Sequence, residues 1–222
     1  EVRQERLKDP TVNHAGRVSQ MHYAGFFQDE IALGDDWEVV LGSRFDHHEE
    51  FGWEASPRAY VLYHFNEALT FKGGIGKGFK APTLKQLSLE YEAIAGGGRF
   101  TIFGNPDLEP ETNLSYEAGL EYSQGIWTAR AMAFQNNVKN LIQTVCVRNC
   151  GSARGSTSTY ENVDEARIRG IELGAGVELP WDMKFDANYT YLDAVDESTG
   201  DELTGRSRHT AMQHCLGDPW II

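Results

Sequence analysis

The chain has 222 residues, 41% hydrophobic and 24% charged, with a formal net charge of −13. That acidity argues against a nucleic-acid partner, whose phosphates need a basic surface, and no run of about 18 apolar residues is present to make a membrane-spanning helix. Transmembrane β-strands stay open, because half their residues turn away from lipid and keep mean hydropathy low.

Alternation of apolar and polar residues recurs in eight segments of about ten residues, the mark of strands with two unlike faces. In chain order they are 20–32, 37–47, 57–65, 69–79, 113–123, 126–136, 166–178 and 183–193. The fifth, "NLSYEAGLEYS", sets Leu114, Tyr116, Ala118, Leu120 and Tyr122 against Ser115, Glu117, Gly119, Glu121 and Ser123. The seventh opposes Ile171, Leu173, Ala175, Val177 and Leu179 to Gly170, Glu172, Gly174, Gly176 and Glu178. In 20–32 and 126–136 the pattern is mixed and leaves the faces unassigned.

The connections alternate in length. "GDD" (34–36), "NEA" (66–68), "QG" (124–125) and "PWD" (180–182) read as tight turns, while 48–56, 80–112, 145–165 and 194–207 read as longer pieces. All the tight turns then fall at one end of an up-and-down sheet, as in outer-membrane barrels with short periplasmic turns and long outer loops. Trp37, Phe65, Tyr122, Trp127 and Trp181 sit beside those turns. Bilayer interfaces collect such rings, which are apolar with one wet polar atom. Parity alone does not say which face of 113–123 meets water: a soluble barrel turns Leu120 and Tyr122 inward, a membrane barrel turns them to lipid and Glu117 and Glu121 to a polar interior. Turn lengths and ring placement favour the membrane case, so the expected fold is all-β, an antiparallel up-and-down transmembrane β-barrel.

Cys146 and Cys150 frame "CVRNC". A disulfide in an oxidising compartment is favoured over a metal half-site, which would need two further soft ligands. "GGIGKG" lacks the Ser or Thr of a phosphate loop and has no helix after it. His47 and His48 are adjacent and diverge on a strand, so they do not chelate one ion. No G-x-S-x-G elbow is present, and no carboxylate pair stands out for hydrolysis.

"FFQDE" (26–30), "GSRFD" (42–46), "SPRAYVLYHF" (56–65), "GKGFKAPTLKQL" (76–87) and "GNPDLEPETNLSYEAGLEY" (104–122) follow one another as in the barrel domain of TonB-dependent outer-membrane receptors. The chain resembles the catecholate ferric siderophore type, to which colicin I and ferric enterobactin receptors belong. That resemblance implies a barrel of about 22 strands filled by a plug, of which this chain supplies about eight strands without the plug. It implies a transporter in the bacterial outer membrane rather than an enzyme, with no cofactor and with chelated iron as cargo. Its partners would be the lipid bilayer, the ferric siderophore, TonB through the missing plug, and colicins or phages; nucleic acid is not among them. The resemblance covers 1–211; 212–222, "MQHCLGDPWII", lacks its pattern and is expected to be an aberrant, frameshifted tail. The start at Glu1, with no visible leader, is likewise read as that of a fragment.

An anionic, aromatic siderophore complex calls for cations and rings on the outer loops, which selects Arg99, Phe100, Phe103, Arg148 and Arg154. Arg44, Asp46, Glu117, Glu121 and Glu172 are candidates for the wall facing a plug, though Arg44 and Asp46 could equally pair with neighbouring strands. "GNPDLEPE" is expected to fix the return of the 80–112 loop into the barrel through its two prolines. Inner-wall glycines, Gly74, Gly76, Gly78, Gly119, Gly174 and Gly176, either leave room for a plug or relieve curvature. The alternatives are a self-contained eight-stranded outer-membrane barrel, enzyme or adhesin, and a soluble barrel that binds an apolar ligand.

Overall fold

The computed structural model describes residues 1–10, 16–152, 154–180, 183–203 and 205–216. One antiparallel meander, each strand beside the next, contains β1 (Val2–Lys8), β2 (Arg17–Leu33), β3 (Trp37–His48), β4 (Gly52–His64), β5 (Leu69–Lys80), β8 (Glu111–Gln124), β9 (Trp127–Arg148), β10 (Ser156–Leu179), β11 (Met183–Asp196) and β12 (His209–Leu216). Between β5 and β8 the chain forms a short helix, α1 (Leu84–Leu87), and a small hairpin, β6 (Glu92–Ala95) and β7 (Phe100–Phe103). Strand β7 pairs with β10 in parallel.

All eight expected strands are present, and β1 and β12 extend the sheet at its two ends. Pairing of β12 runs through Leu216, opposite Lys184, so the strand outlasts the alternation that ends at residue 211. The tight turns lie together at one end. Register Gln124↔Trp127 leaves a two-residue loop, Gly125–Ile126, one residue later than expected, with positive φ (61°) at Gly125 alone. That is the type II′ arrangement, which matches the twist of the flanking strands and needs glycine first. At the other end, 48–56 is not a long connection: it closes in a turn at 49–51, with Gly52 at φ 74°, and 52–56 belongs to β4. The β4–β5 ladder stops at Arg58↔Gly76, where Pro57 offers no N–H to continue it.

Strands β9 and β10, of 22 and 24 residues, far exceed the nine to eleven residues or so that cross a bilayer. The segment 145–165, expected as loop, is mostly the top of this tall hairpin. Its tip is held by a Cys146–Cys150 disulfide, Cα atoms 5.7 Å apart. In the loop that follows β11, Asp196 accepts from Ser198 Oγ and from the N–H groups of Ser198 and Thr199. Those bonds, the Ser198 hydroxyl's first, hold its carboxyl below the ordinary range.

The two faces of the sheet are now distinguishable. On β8 the apolar Leu114, Tyr116, Leu120 and Tyr122 are exposed (37, 41, 43 and 38%), while Ser115, Glu117, Gly119 and Glu121 between them are half-buried. The crowded polar side is concave and the splayed apolar side convex. Ile75, Ile171, Leu173, Phe185 and Tyr189 share the convex face. Among the described residues no apolar core fills the concave side; the two clusters of buried hydrophobics, Leu7–Leu84–Tyr91 and Ala166–Ala194–Leu203, lie at the long-loop end. A soluble barrel would show the reverse. Trp37, Tyr63 and Phe65 pack in sequence beside the short turns, the first pair tilted and the second edge-to-face, centroids 4.4 and 4.8 Å apart; Trp181 lies outside the described residues.

Candidate functional site

Residues 81–110 form a strap on the concave side of the long-loop end. Its first part begins at "GFKAPT": Pro82 is fully buried, and Thr83 caps α1 in a reciprocal box with Gln86. Leu84 and Tyr91 then pack on Leu7 of β1 and beside Val18 of β2. The middle of the strap, β7, pairs with Ser156–Thr159 of β10. One segment thereby joins β1–β2 to the tall hairpin, across the arc of the sheet.

"GNPDLEPE" fastens the return. Asn162 of β10 accepts from the Glu109 N–H (2.9 Å) and donates to the Glu109 and Asn140 carbonyls (2.9 and 2.7 Å). Asn140, at φ 55°, donates to Glu109 Oε2, and Asn105 donates to the Tyr160 carbonyl. Leu108 is buried to 3% exposure. Glu111 closes the root by accepting from Lys80 Nζ and the Ile142 N–H. The motif's polar groups are thus spent on positioning backbone, as expected of it.

The strap also determines where the expected ligand residues stand. Gly155 N–H donates to the Arg99 carbonyl (2.7 Å), setting Arg99 beside the tip that carries Arg154. Thr157 is opposite both Thr101 of β7 and Arg148 of β9, so Arg148 and the β7 segment are two strand spacings apart, about 10 Å. Arg99, Phe100, Arg148 and Arg154 are exposed, while Phe103 is half-buried with its carbonyl accepting from Thr159 Oγ1. Sequence reading chose the residues of two loops; the strand pairing between the loops is visible only in three dimensions.

On the concave wall, Arg44 donates to Asp46 (2.9 Å) and to Glu1 (3.1 Å), and Asp46 also meets His22 Nε2 (2.8 Å). Asp46 and His48 are buried, at 5 and 2% exposure, so this pair is engaged with neighbouring strands. Glu121 pairs with Lys72 (2.7 Å), and Glu117 lies opposite Gly74 and Phe134. Glu172, between Met132 and Thr190, has no charged partner among the described residues. His47 and His48 diverge: His47 stacks edge-on with exposed Trp53, and His48 points inward. Wall side chains occupy most of the space beside the inner glycines. A Cβ at Gly74 would come 2.6 Å from the Tyr60 ring, one at Gly119 would meet Met132, and one at Gly174 would meet Arg130.

Comparison with known proteins agrees with this architecture. The TonB dependent receptor-like β-barrel family model matches residues 7–220. The chain belongs to that family. Its barrels lie in the outer membrane and are transporters rather than enzymes, and the convex apolar face is therefore the lipid face. An iron-regulated outer membrane virulence protein of Vibrio cholerae is 35% identical over 208 residues, covering 89% of this chain and 32% of that protein. A ferric enterobactin receptor of Pseudomonas aeruginosa is 30% identical, covering 89% and 29%. The chain thus spans about a third of the curated relatives it matches. Among solved structures, a mutant of the Pseudomonas aeruginosa ferric enterobactin receptor in complex with enterobactin superposes with TM-score 0.77 at 27% identity, over 96% of this chain and 35% of that one. The siderophore receptor PirA from Acinetobacter baumannii gives 0.73 at 25%, over 97% and 36%.

Proposed function

We propose that this chain is a section of the barrel of an outer-membrane receptor that takes up a ferric siderophore of the catecholate type, driven by TonB through a plug seated against the concave wall. The observation that carries the reading is the β7–β10 pairing, which gathers Arg99 and Phe100 with Arg148 and Arg154 at the outer mouth. A tris-catecholate ferric complex is anionic and rimmed with aromatic rings. Guanidinium groups give it charge-assisted contacts, and Phe100 and Phe103 give it faces to stack on. The names of the relatives support the same cargo. In this reading Glu172, Glu117 and Arg44 face the plug, and colicins or phages would dock on the same loops.

Replacing Arg99 and Arg148 together by alanine in the intact receptor is expected to weaken binding of a ferric catecholate siderophore by about tenfold or more, in line with the loss of two anchoring arginines. Tryptophan quenching on titration with the ferric complex measures it. Unchanged affinity in the double variant would sink the assignment of these residues.

A further inference from the structure

Strand pairing stops short of the arginines at the outer mouth. The β9–β10 ladder ends at Arg148↔Thr157, and the β7–β10 ladder begins at Phe100↔Ser156. Arg99 and Arg154 therefore lie just beyond the last rungs, on chain that no ladder holds. Arg99, Arg148 and Arg154 are exposed, and among the described residues none of the three guanidinium groups has a partner. Three like charges gathered within roughly two strand spacings, about 10 Å, repel one another, and unrestrained loop ends would splay.

One side chain opposes this. Asn149 follows Arg148 directly, with φ at 54°, in the left-handed region that asparagine tolerates better than most residues. That turn takes its backbone out of β9, so it offers Gly155 no rung. The side-chain amide fills the place: Nδ2 donates to the Gly155 carbonyl at 3.0 Å, while the Gly155 N–H donates to the Arg99 carbonyl at 2.7 Å. Both backbone polar groups of Gly155 are thereby used, one on each neighbouring segment. The turn bearing Asn149 is itself closed. Its carbonyl accepts from the Ser152 N–H (3.1 Å), Ser152 Oγ donates to the Arg154 carbonyl (2.8 Å), and the Cys146–Cys150 disulfide lies at its base.

We infer that Asn149 is a positioning residue of the outer mouth: through Gly155 it holds Arg99 and Arg154 beside Arg148 before any cargo arrives. It acts through the backbone of the two loops and not by contact with the cargo. A site already gathered binds more tightly, because apparent affinity is reduced by the fraction of receptors whose arginines are apart. This role rests on the siderophore reading of the mouth, so the Arg99→Ala, Arg148→Ala variant is measured beside it.

The test uses the intact receptor in detergent, with ferric enterobactin as the probe and heat-modifiable migration as the check on folding. Asn149→Gly keeps the left-handed turn and removes the amide. It is expected to raise the Kd about fivefold, the worth of one exposed hydrogen bond. In the ligand-free receptor it should speed hydrogen exchange at 96–101 and 154–158 at least about threefold, and saturation with the probe should restore wild-type protection. In an Arg99→Ala, Arg154→Ala background the same substitution is expected to change the Kd by less than about twofold, since no arginines are left for it to place. Wild-type affinity in Asn149→Gly would overturn the role, and a loss confined to Asn149→Ala would assign the residue to the turn alone. The same full loss in the Arg99→Ala, Arg154→Ala background would also overturn it. Wild-type affinity in Arg99→Ala, Arg148→Ala would instead overturn the siderophore reading of the mouth, and this role with it.

Discussion

Single residues in the wall are set by neighbours on adjoining strands, and glycine shows this most sharply. A Cβ at Gly119 would stand 2.2 Å from the Ala131 carbonyl oxygen, a backbone atom that cannot swing aside. Gly119→Ala is therefore expected to destabilise the folded barrel by about 1–3 kcal/mol, the usual cost of overpacking, seen as a lower denaturant midpoint in detergent. Gly25→Ala, with nothing within 4 Å and ordinary φ, is the control and is expected to leave the midpoint unchanged. The same crowding explains why 126–136 gave no clean period. Met132 and Phe134 face inward because they cover Gly119 and Gly170, while past Trp127 the lipid face of β9 carries Ala129, Ala131 and Ala133. A large residue inside and a small one outside blurs alternation in the sequence.

Among the elements, the strap was the least legible. Its root motifs stood out, yet what holds it is Asn162, 53 residues from Glu109, and no local pattern announces such a pair. Asn162→Ala would remove its bonds to the exposed Glu109 N–H and carbonyl and to the part-buried Asn140 carbonyl, at about 0.5–1.5 kcal/mol each. Limited proteolysis should then cut within 84–104 at least about tenfold faster while β8 to β11 stay resistant. Unchanged cleavage would show that the packing of Leu84 and Tyr91 holds the strap by itself. The tops of β9 and β10 read as loop because apolar residues fall on both faces there, Leu141, Val145 and Val147 on one parity of β9 and Val138 and Ile142 on the other, which removes the contrast that marks a strand. At their tip the Cys146–Cys150 link closes a very short loop, worth about 2 kcal/mol by chain entropy. Cys146→Ser with Cys150→Ser is accordingly expected to speed hydrogen exchange at 145–157 without shifting the barrel's unfolding midpoint.

The whole sheet was legible wherever one face was apolar and the other polar, and unreadable wherever that contrast failed. Strand β1, "VRQERLK", is polar on both faces, and β12, "HTAMQHCL", has no steady parity, so both ends of the sheet were missed. These two strands also leave unpaired edges among the described residues. In lipid each open backbone group costs several kcal/mol, so the 222-residue chain by itself is expected to aggregate in detergent without a cooperative transition; a sharp, reversible one would show that it closes alone. The central claim is that the apolar convex face meets lipid and the polar concave face meets water. Spin labels placed singly at residues 116 to 121, in the intact receptor reconstituted in a bilayer, test it by relative accessibility to oxygen and to a water-soluble nickel chelate. The account predicts a strict period of two, with 116, 118 and 120 open to oxygen and 117, 119 and 121 open to the chelate or screened from both. Oxygen accessibility at the odd positions, or no alternation at all, would contradict it.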